Sequence, residues 1–163
     1  MLVELTREFI SRFAEKKREK NILDFTDMEH FALEILMEKQ EDGTFQMSQA
    51  ARELSLKYEE VMVDEYQDSN LVQEMITNCV SGWAQQQKNI FMVGDVKQSI
   101  YSFRLARPEL FMEKYEKYSL TDSKEQRIDL HKNFRSRTQV LECANFIFRQ
   151  IMGKDLGKIE YDH

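Results

Sequence analysis

Apolar residues in the first part of the chain recur at helical spacing. Leu2, Leu5, Phe9 and Phe13 share one helical face, which predicts a helix over residues 2–19. Thr26-Asp27-Met28-Glu29 reads as a capping box, the Thr26 hydroxyl accepting from the Glu29 amide while Glu29 reaches back. It opens a helix expected to run to about Lys39, with Met28, Phe31, Ala32, Ile35 and Leu36 inward. Glu41-Asp42-Gly43-Thr44 is a turn, and Ser48 to Tyr58 a further short helix. The period then changes. Residues 60–64 and 89–94 are short, continuously apolar runs. They predict strands covered on both faces, as in a parallel sheet flanked by helices. A helix over 70–84 is the right-handed crossover between them. Pro108 suits the first turn of a helix reaching about Tyr118, where its missing amide costs nothing. Gln126 to Leu130 alternates and predicts a third, more exposed strand. Ser136 is placed to cap a last helix with Val140, Leu141, Ala144, Ile147 and Phe148 inward, and Gly153 as its stop. The expected class is α/β, with a helical segment over 1–57, an α/β core over 58–135 and a helix leading out over 136–163.

Bulk properties narrow this picture. A chain of 163 residues is one domain, or one and a fragment. Hydrophobic content of 42% and charged content of 32% fit a soluble globular protein, and no apolar run is long enough to span a bilayer. Met1-Leu2-Val3-Glu4 leads into a charged amphipathic stretch, not a signal segment. Cys79 and Cys143 have no CxxC spacing and read as reduced core thiols of a cytosolic protein. His30, His131 and His163 have no metal-ligand spacing. A net charge of −6 excludes coating nucleic acid through bulk charge, but not a local groove. The basic run Lys16-Lys17-Arg18 with Lys20 is interleaved with Glu15 and Glu19, and reads as a solvated helix face before it reads as a DNA contact.

Three segments carry chemistry. The first apolar strand ends in Asp64-Glu65-Tyr66-Gln67-Asp68. Polar groups at the C-terminal ends of parallel strands lie where open α/β sheets bind ligands. Asp64 suits a hydrated Mg²⁺, which takes one or two carboxylates beside phosphate oxygens. Glu65 suits a base that orients an attacking water. A solvated acidic turn is the plain alternative. The second strand ends in Gly94-Asp95, followed by Gln98, Tyr101, Phe103 and Arg104. The Gln98 amide suits a phosphate oxygen. Two rings and a guanidinium suit stacking on exposed bases without reading their sequence, although Ile100 and Phe103, like Tyr101 taken alone, also fit the core of a short helix. Third, Asn133-Phe134-Arg135-Ser136 pairs a ring with an arginine, the group best suited to phosphate charge. Capping by Ser136 with an incidental basic neighbour is the alternative there.

Together these segments resemble motifs II, III and IV of the UvrD/Rep-like superfamily 1 helicases, in order and in spacing. Asp24-Phe25-Thr26-Asp27-Met28 resembles a segment these proteins carry upstream, so the likeness covers about residues 20–150. Tyr66 stands where Phe is commoner, and Leu105-Ala106-Arg107 where most members have Gly-Ala. These departures resemble the AddA (RexA) group within bacterial ATP-dependent helicase/nuclease complexes. The resemblance implies a RecA-like fold, ATP and Mg²⁺ as ligands, and a role in double-strand break repair. Single- and double-stranded DNA and a second, AddB/RexB-type protein are the implied partners, and no membrane. It also implies roles: Asp64 for the metal, Glu65 as catalytic base, Gln98 and Arg135 on the γ-phosphate, and Gln67 and Phe134 at the nucleotide, Phe134 stacking on adenine. Tyr101, Phe103 and Arg104 would meet single-stranded DNA.

No Gly-x-x-x-x-Gly-Lys-Ser/Thr occurs in these residues, so the loop that cradles phosphates is missing. The expectation is a piece of a larger motor, cut inside its first motor domain, that alone hydrolyses no ATP and unwinds no DNA. A non-catalytic DNA-binding or scaffold module derived from a helicase domain is the alternative.

Overall fold

Local signals account for most of the element boundaries in the computed structural model, which describes residues 1–85, 87, 89–101, 103, 105–153 and 161. Helix α1 spans Leu2–Lys20 and stops at Asn21 in the left-handed conformation. Helix α2, Phe25–Leu36, is capped two residues before the expected box. Asp24, not Thr26, is its N-cap, and Asp24 and Asp27 exchange backbone and side-chain hydrogen bonds. Lys17 of α1 bonds both of their carboxylates, Asp24 at 3.0 Å and Asp27 at 2.5 Å.

Those contacts leave their mark on the three groups. The Asp27 hydrogen bond, with help from Asp24, raises the Lys17 ammonium above its ordinary range. Asp24 is lowered by the Asp27 amide and then by Lys17, and Asp27 by Lys17 and then by the Asp24 amide. The carboxylate part of this tie is therefore complete above the ordinary carboxyl range and lost as pH falls below it. The ammonium part is lost only as pH rises past the ordinary lysine range.

Helix α2 does not reach Lys39. Residues Met37–Lys39 form β1, antiparallel to β2, Phe45–Met47, across the expected turn, in which Gly43 has a φ of 85°. Ladder pairing wins over helical continuation because the partner strand lies only a short turn away. Helix α3, Gln49–Lys57, is capped by Ser48 as its position implies. Strand β3, Val61–Val63, pairs in parallel with β4, Ile90–Met92, in the register Val61 to Ile90. Between them lies α4, Leu71–Val80, opened by a reciprocal Asn70–Gln73 box. The expected continuation to residue 84 is a separate 3₁₀ turn at Gly82–Gln85. Helix α5, Pro108–Lys117, starts at the proline. Helix α6, Thr138–Ile151, follows Arg137 without a side-chain cap. Ser136 is not that cap: its amide and that of Arg135 both donate to Asn133 Oδ1 at 2.9 Å.

The core lies among Leu36, Ala51 and Cys79, with Met37, Met47, Leu54, Ile76 and Val80 packed on it. Burial of the Cys79 thiol raises its pKa, whereas Cys143 is exposed and not the core thiol expected. On α2 only Leu36 of the expected apolar set is buried; Met28, Phe31 and Ile35 are exposed, because α2 turns its Leu36 side toward α3 and α4. The α1 residues Leu2, Leu5, Phe9 and Phe13 are exposed, as are Val140, Ile147 and Phe148 of α6. Neither helix buries a residue among those described. Coverage of β3 and β4 on both faces does not hold either. Met62 is 69% and Phe91 55% exposed, because nothing among the described residues packs over that side of the pair. The expected third strand is reduced to one bridge, Ser119 to Gln126. Arg127 instead stacks over the Tyr115 ring at 3.9 Å and donates to its carbonyl oxygen, drawing the segment onto α5. Among the described residues no helix is long and apolar enough to cross a membrane.

Candidate active site

The site is built where β3 and β4 end. Hydrogen bonding between the strands outlasts the strands themselves: the Val93 amide donates to the Val63 carbonyl and the Tyr66 amide to the Val93 carbonyl, both at 2.9 Å. This brings the loop after β3 against the loop after β4. At the bend Glu65 has φ 49° and ψ 40°, a left-handed conformation that costs an L-residue roughly 1–2 kcal/mol. Its amide donates to Asp64 Oδ1 at 2.9 Å, and a 3₁₀ turn at Tyr66–Asp68 follows. The bend leaves Asp64 and Glu65 exposed at the strand end, while Tyr66 and Gln67 turn inward to 1% exposure.

A chain of hydrogen bonds joins the two loops. Gln67 Nε2 donates to Glu65 Oε2 at 2.7 Å. Gln67 Oε1 accepts from the Asp95 amide at 3.0 Å. Asp95 Oδ2 accepts from Gln98 Nε2 at 3.1 Å. Gly94 belongs to this arrangement because a Cβ there would lie 2.7 Å from Gln67 Oε1 and 3.1 Å from Phe111. Asp68 Oδ1 is buried without a hydrogen-bond partner.

The donor set fits Mg²⁺. Asp64 and Glu65 are exposed hard oxygen donors, with one oxygen of each engaged by the Glu65 amide and by Gln67, and among the described residues no cluster of three or more His, Cys, Asp or Glu is built to hold a metal. A cation here would draw on one or two carboxylates, water and phosphate, which is how Mg²⁺ binds.

Beneath the site, Tyr66 is held by a triad that sequence reading did not find. Its hydroxyl donates to Glu74 Oε2, Lys114 donates to Glu74 Oε1 at 2.8 Å, and Lys114 lies 5.0 Å over the Tyr66 ring. Burial first, and then the Glu74 carboxylate, push the Tyr66 hydroxyl well above its ordinary range. The sequence signal was the hydroxyl itself, at a position where the resembling family more often has Phe. Tyr66→Phe is expected to lower stability by about 1–2 kcal/mol. Glu74→Ala is expected to cost more, because it strands both the buried hydroxyl and the Lys114 ammonium. Urea midpoints of the two variants against the unaltered chain test that order; equal or reversed costs would remove the triad.

The other expected residues divide. Asp64, Glu65, Gln67 and Gln98 converge at the strand ends. Tyr101 and Phe103 lie on the loop that follows, rings 5.8 Å apart, with Phe103 74% exposed. Ile100 is also exposed, whereas Tyr101 is only 37% exposed. Arg104 lies outside the described residues. Phe134 is 92% exposed, and Arg135 is exposed in the turn held by Asn133.

Two parallel strands thus deliver acidic and amide groups to one edge, with two neighbouring rings on the loop beside them, the arrangement of a ligand site at the end of an α/β sheet. The sequence comparisons agree: residues 2–119 match the UvrD/REP helicase N-terminal domain, and the chain belongs to that family. More particularly, it is 54% identical over 161 residues to the A subunit of an ATP-dependent helicase/nuclease from Lachnoclostridium phytofermentans. It is 54% identical to the corresponding protein from Clostridium botulinum and 53% identical to that from Bacillus cytotoxicus. These alignments cover 98–99% of this chain but only 12–13% of those relatives. They include Asn133 to Ser136, which lie beyond the family match.

Proposed function

We propose that these residues form the water-activating side of the ATP site in an AddA-type helicase/nuclease. The parent protein would couple ATP hydrolysis to movement along single-stranded DNA and to unwinding, in cytoplasmic double-strand break repair with an AddB/RexB-type partner. Residues 58–135 would belong to a RecA-like parallel sheet, with 1–57 its helical flank and 136–163 the helix leading out. The observation that supports this reading most is Glu65: it is bent out at the end of β3, and its carboxylate is fixed by Gln67 on the side facing the loop after β4.

In this reading Glu65 accepts a proton from the attacking water as the new oxygen–phosphorus bond forms and the bond to the leaving diphosphate breaks. Asp64 holds Mg²⁺, which when bound neutralises charge on the phosphate oxygens. Gln98 and Arg135 hold the γ-phosphate, Phe134 stacks on adenine, and Tyr101, Phe103 and Arg104 meet single-stranded DNA. The chain by itself, without a phosphate loop, is expected to hydrolyse no ATP.

The experiment uses the full-length helicase/nuclease protein that carries these 163 residues. Phe103→Ala is expected to cut the stimulation of ATP hydrolysis by single-stranded DNA about 5- to 150-fold, the loss of one stacked base. Its basal hydrolysis should be unchanged. Unaltered stimulation would remove Phe103 from the DNA contact, and a parent protein with no DNA-stimulated hydrolysis would sink the reading.

A further inference from the structure

The geometry assigns Gln67 a positioning role: we propose that its side chain is a clamp setting Glu65 against Gln98, and that it does not touch the nucleotide. The inference rests on the reading of Glu65 as base. Gln67 is 1% exposed, so a ligand at the strand ends does not reach its amide. Both ends of that amide are already committed, Nε2 to Glu65 Oε2 and Oε1 to the Asp95 amide. The partners dictate the orientation, since a carboxylate accepts only and a backbone N–H donates only. The next link, Asp95 Oδ2 to Gln98 Nε2, extends the chain to the residue proposed for the γ-phosphate. Three hydrogen bonds thus connect a base on the first loop to a phosphate contact on the second. The loop carrying Gln98 also carries Tyr101 and Phe103, so the clamp ties the base to the DNA-facing segment as well.

Gly94 supports the assignment independently. Its φ demands no glycine, but the space does: a Cβ would sit 2.7 Å from Gln67 Oε1 and 3.3 Å from the Gln67 backbone nitrogen. An alanine there must displace the clamp without altering any polar group of the site.

The test uses the full-length helicase/nuclease protein carrying these residues, with ATP hydrolysis measured at saturating single-stranded DNA. Gln67→Met keeps the volume and removes both hydrogen bonds. Gln67→Glu keeps the acceptor for the Asp95 amide and replaces the donor to Glu65 with a second carboxylate. Groups that orient a reacting ligand typically cost about 10–100-fold when removed, so both variants and Gly94→Ala are expected to lower kcat by about that factor. The KM for ATP should stay within about twofold, because the nucleotide contacts remain. Glu65→Gln is the control. If it abolishes hydrolysis while both Gln67 variants keep kcat within about twofold of the unaltered protein, the clamp is wrong and the reading of Glu65 stands. If the Gln67 variants raise KM with kcat intact, Gln67 contacts the nucleotide and the inference fails. If Glu65→Gln still hydrolyses ATP, the reading of the base fails and the clamp with it. Melting temperatures of the variants separate these outcomes from unfolding, and Gln67→Met, apolar and matched in size, is the one least disturbed.

Discussion

Glu65→Gln in the full-length helicase/nuclease protein carrying these residues is expected to lower kcat for ATP hydrolysis by about 10²–10⁴-fold, the span a positioned general base contributes. The substitution is nearly isosteric. A glutamine Oε1 still accepts from Gln67 Nε2, so the link to Asp95 and Gln98 survives. The bend at φ 49° is set by the backbone and by the Tyr66–Val93 hydrogen bond, and both are independent of the Glu65 carboxylate. What disappears is the proton acceptor alone. The KM for ATP and the affinity for single-stranded DNA should therefore stay within about twofold, giving a protein that binds and does not turn over. Steady-state hydrolysis with and without DNA checks this. A kcat within about tenfold of the unaltered protein would mean that Glu65 is only an acidic turn after a strand.

How far the site could be read in advance depended on which properties are local. Val61–Val63 and Ile90–Met92 announced themselves as short β-branched and apolar runs, and the polar residues that follow them needed only the rule that strand ends carry ligands. Burial is not local. The same unbroken apolar pattern predicted covered faces, yet Met62 and Phe91 are exposed because coverage depends on what packs across, which no property of the strand states. Asp24-Phe25-Thr26-Asp27-Met28-Glu29 holds the expected Thr26–Glu29 box, but the structure uses Asp24 and Asp27 instead, and Lys17, on another helix, bonds both of their carboxylates. Gln126 to Leu130 alternates well enough for a strand but has no ladder partner beyond one bridge among the described residues, and the Tyr115 ring claims Arg127 instead. Gln67 makes the same point within the site. Its place in the motif was plain, but its neighbours Glu65 and Asp95 belong to different loops. Only the folded backbone shows that its amide is spent on them.

Arg135→Ala is expected to remove about 10³–10⁵-fold from kcat, the range an arginine supplies when it neutralises charge on a transferring phosphate. The turn around it is compatible with that use. Asn133 Oδ1 takes the amides of both Arg135 and Ser136, so the backbone is held while the Arg135 residue stays exposed. Phe134 beside it is 92% exposed, which is costly for a ring unless a flat partner covers it. The two should therefore fail differently. Phe134→Ala loses stacking on the base and raises the KM for ATP, with kcat less affected. Arg135→Ala loses charge that matters most as the phosphate is transferred, and lowers kcat with a smaller change in KM. Arg135→Lys restores the charge but not the planar fork, so it should recover only a minor part of the rate. Folding should survive all three changes, since neither side chain is buried and α6 begins only at Thr138. Full recovery by lysine would reduce the arginine to a point charge near the nucleotide. A kcat unchanged in Arg135→Ala would separate this turn from the ATP site and leave Glu65 and Gln98 to be completed by a cation from elsewhere in the parent protein.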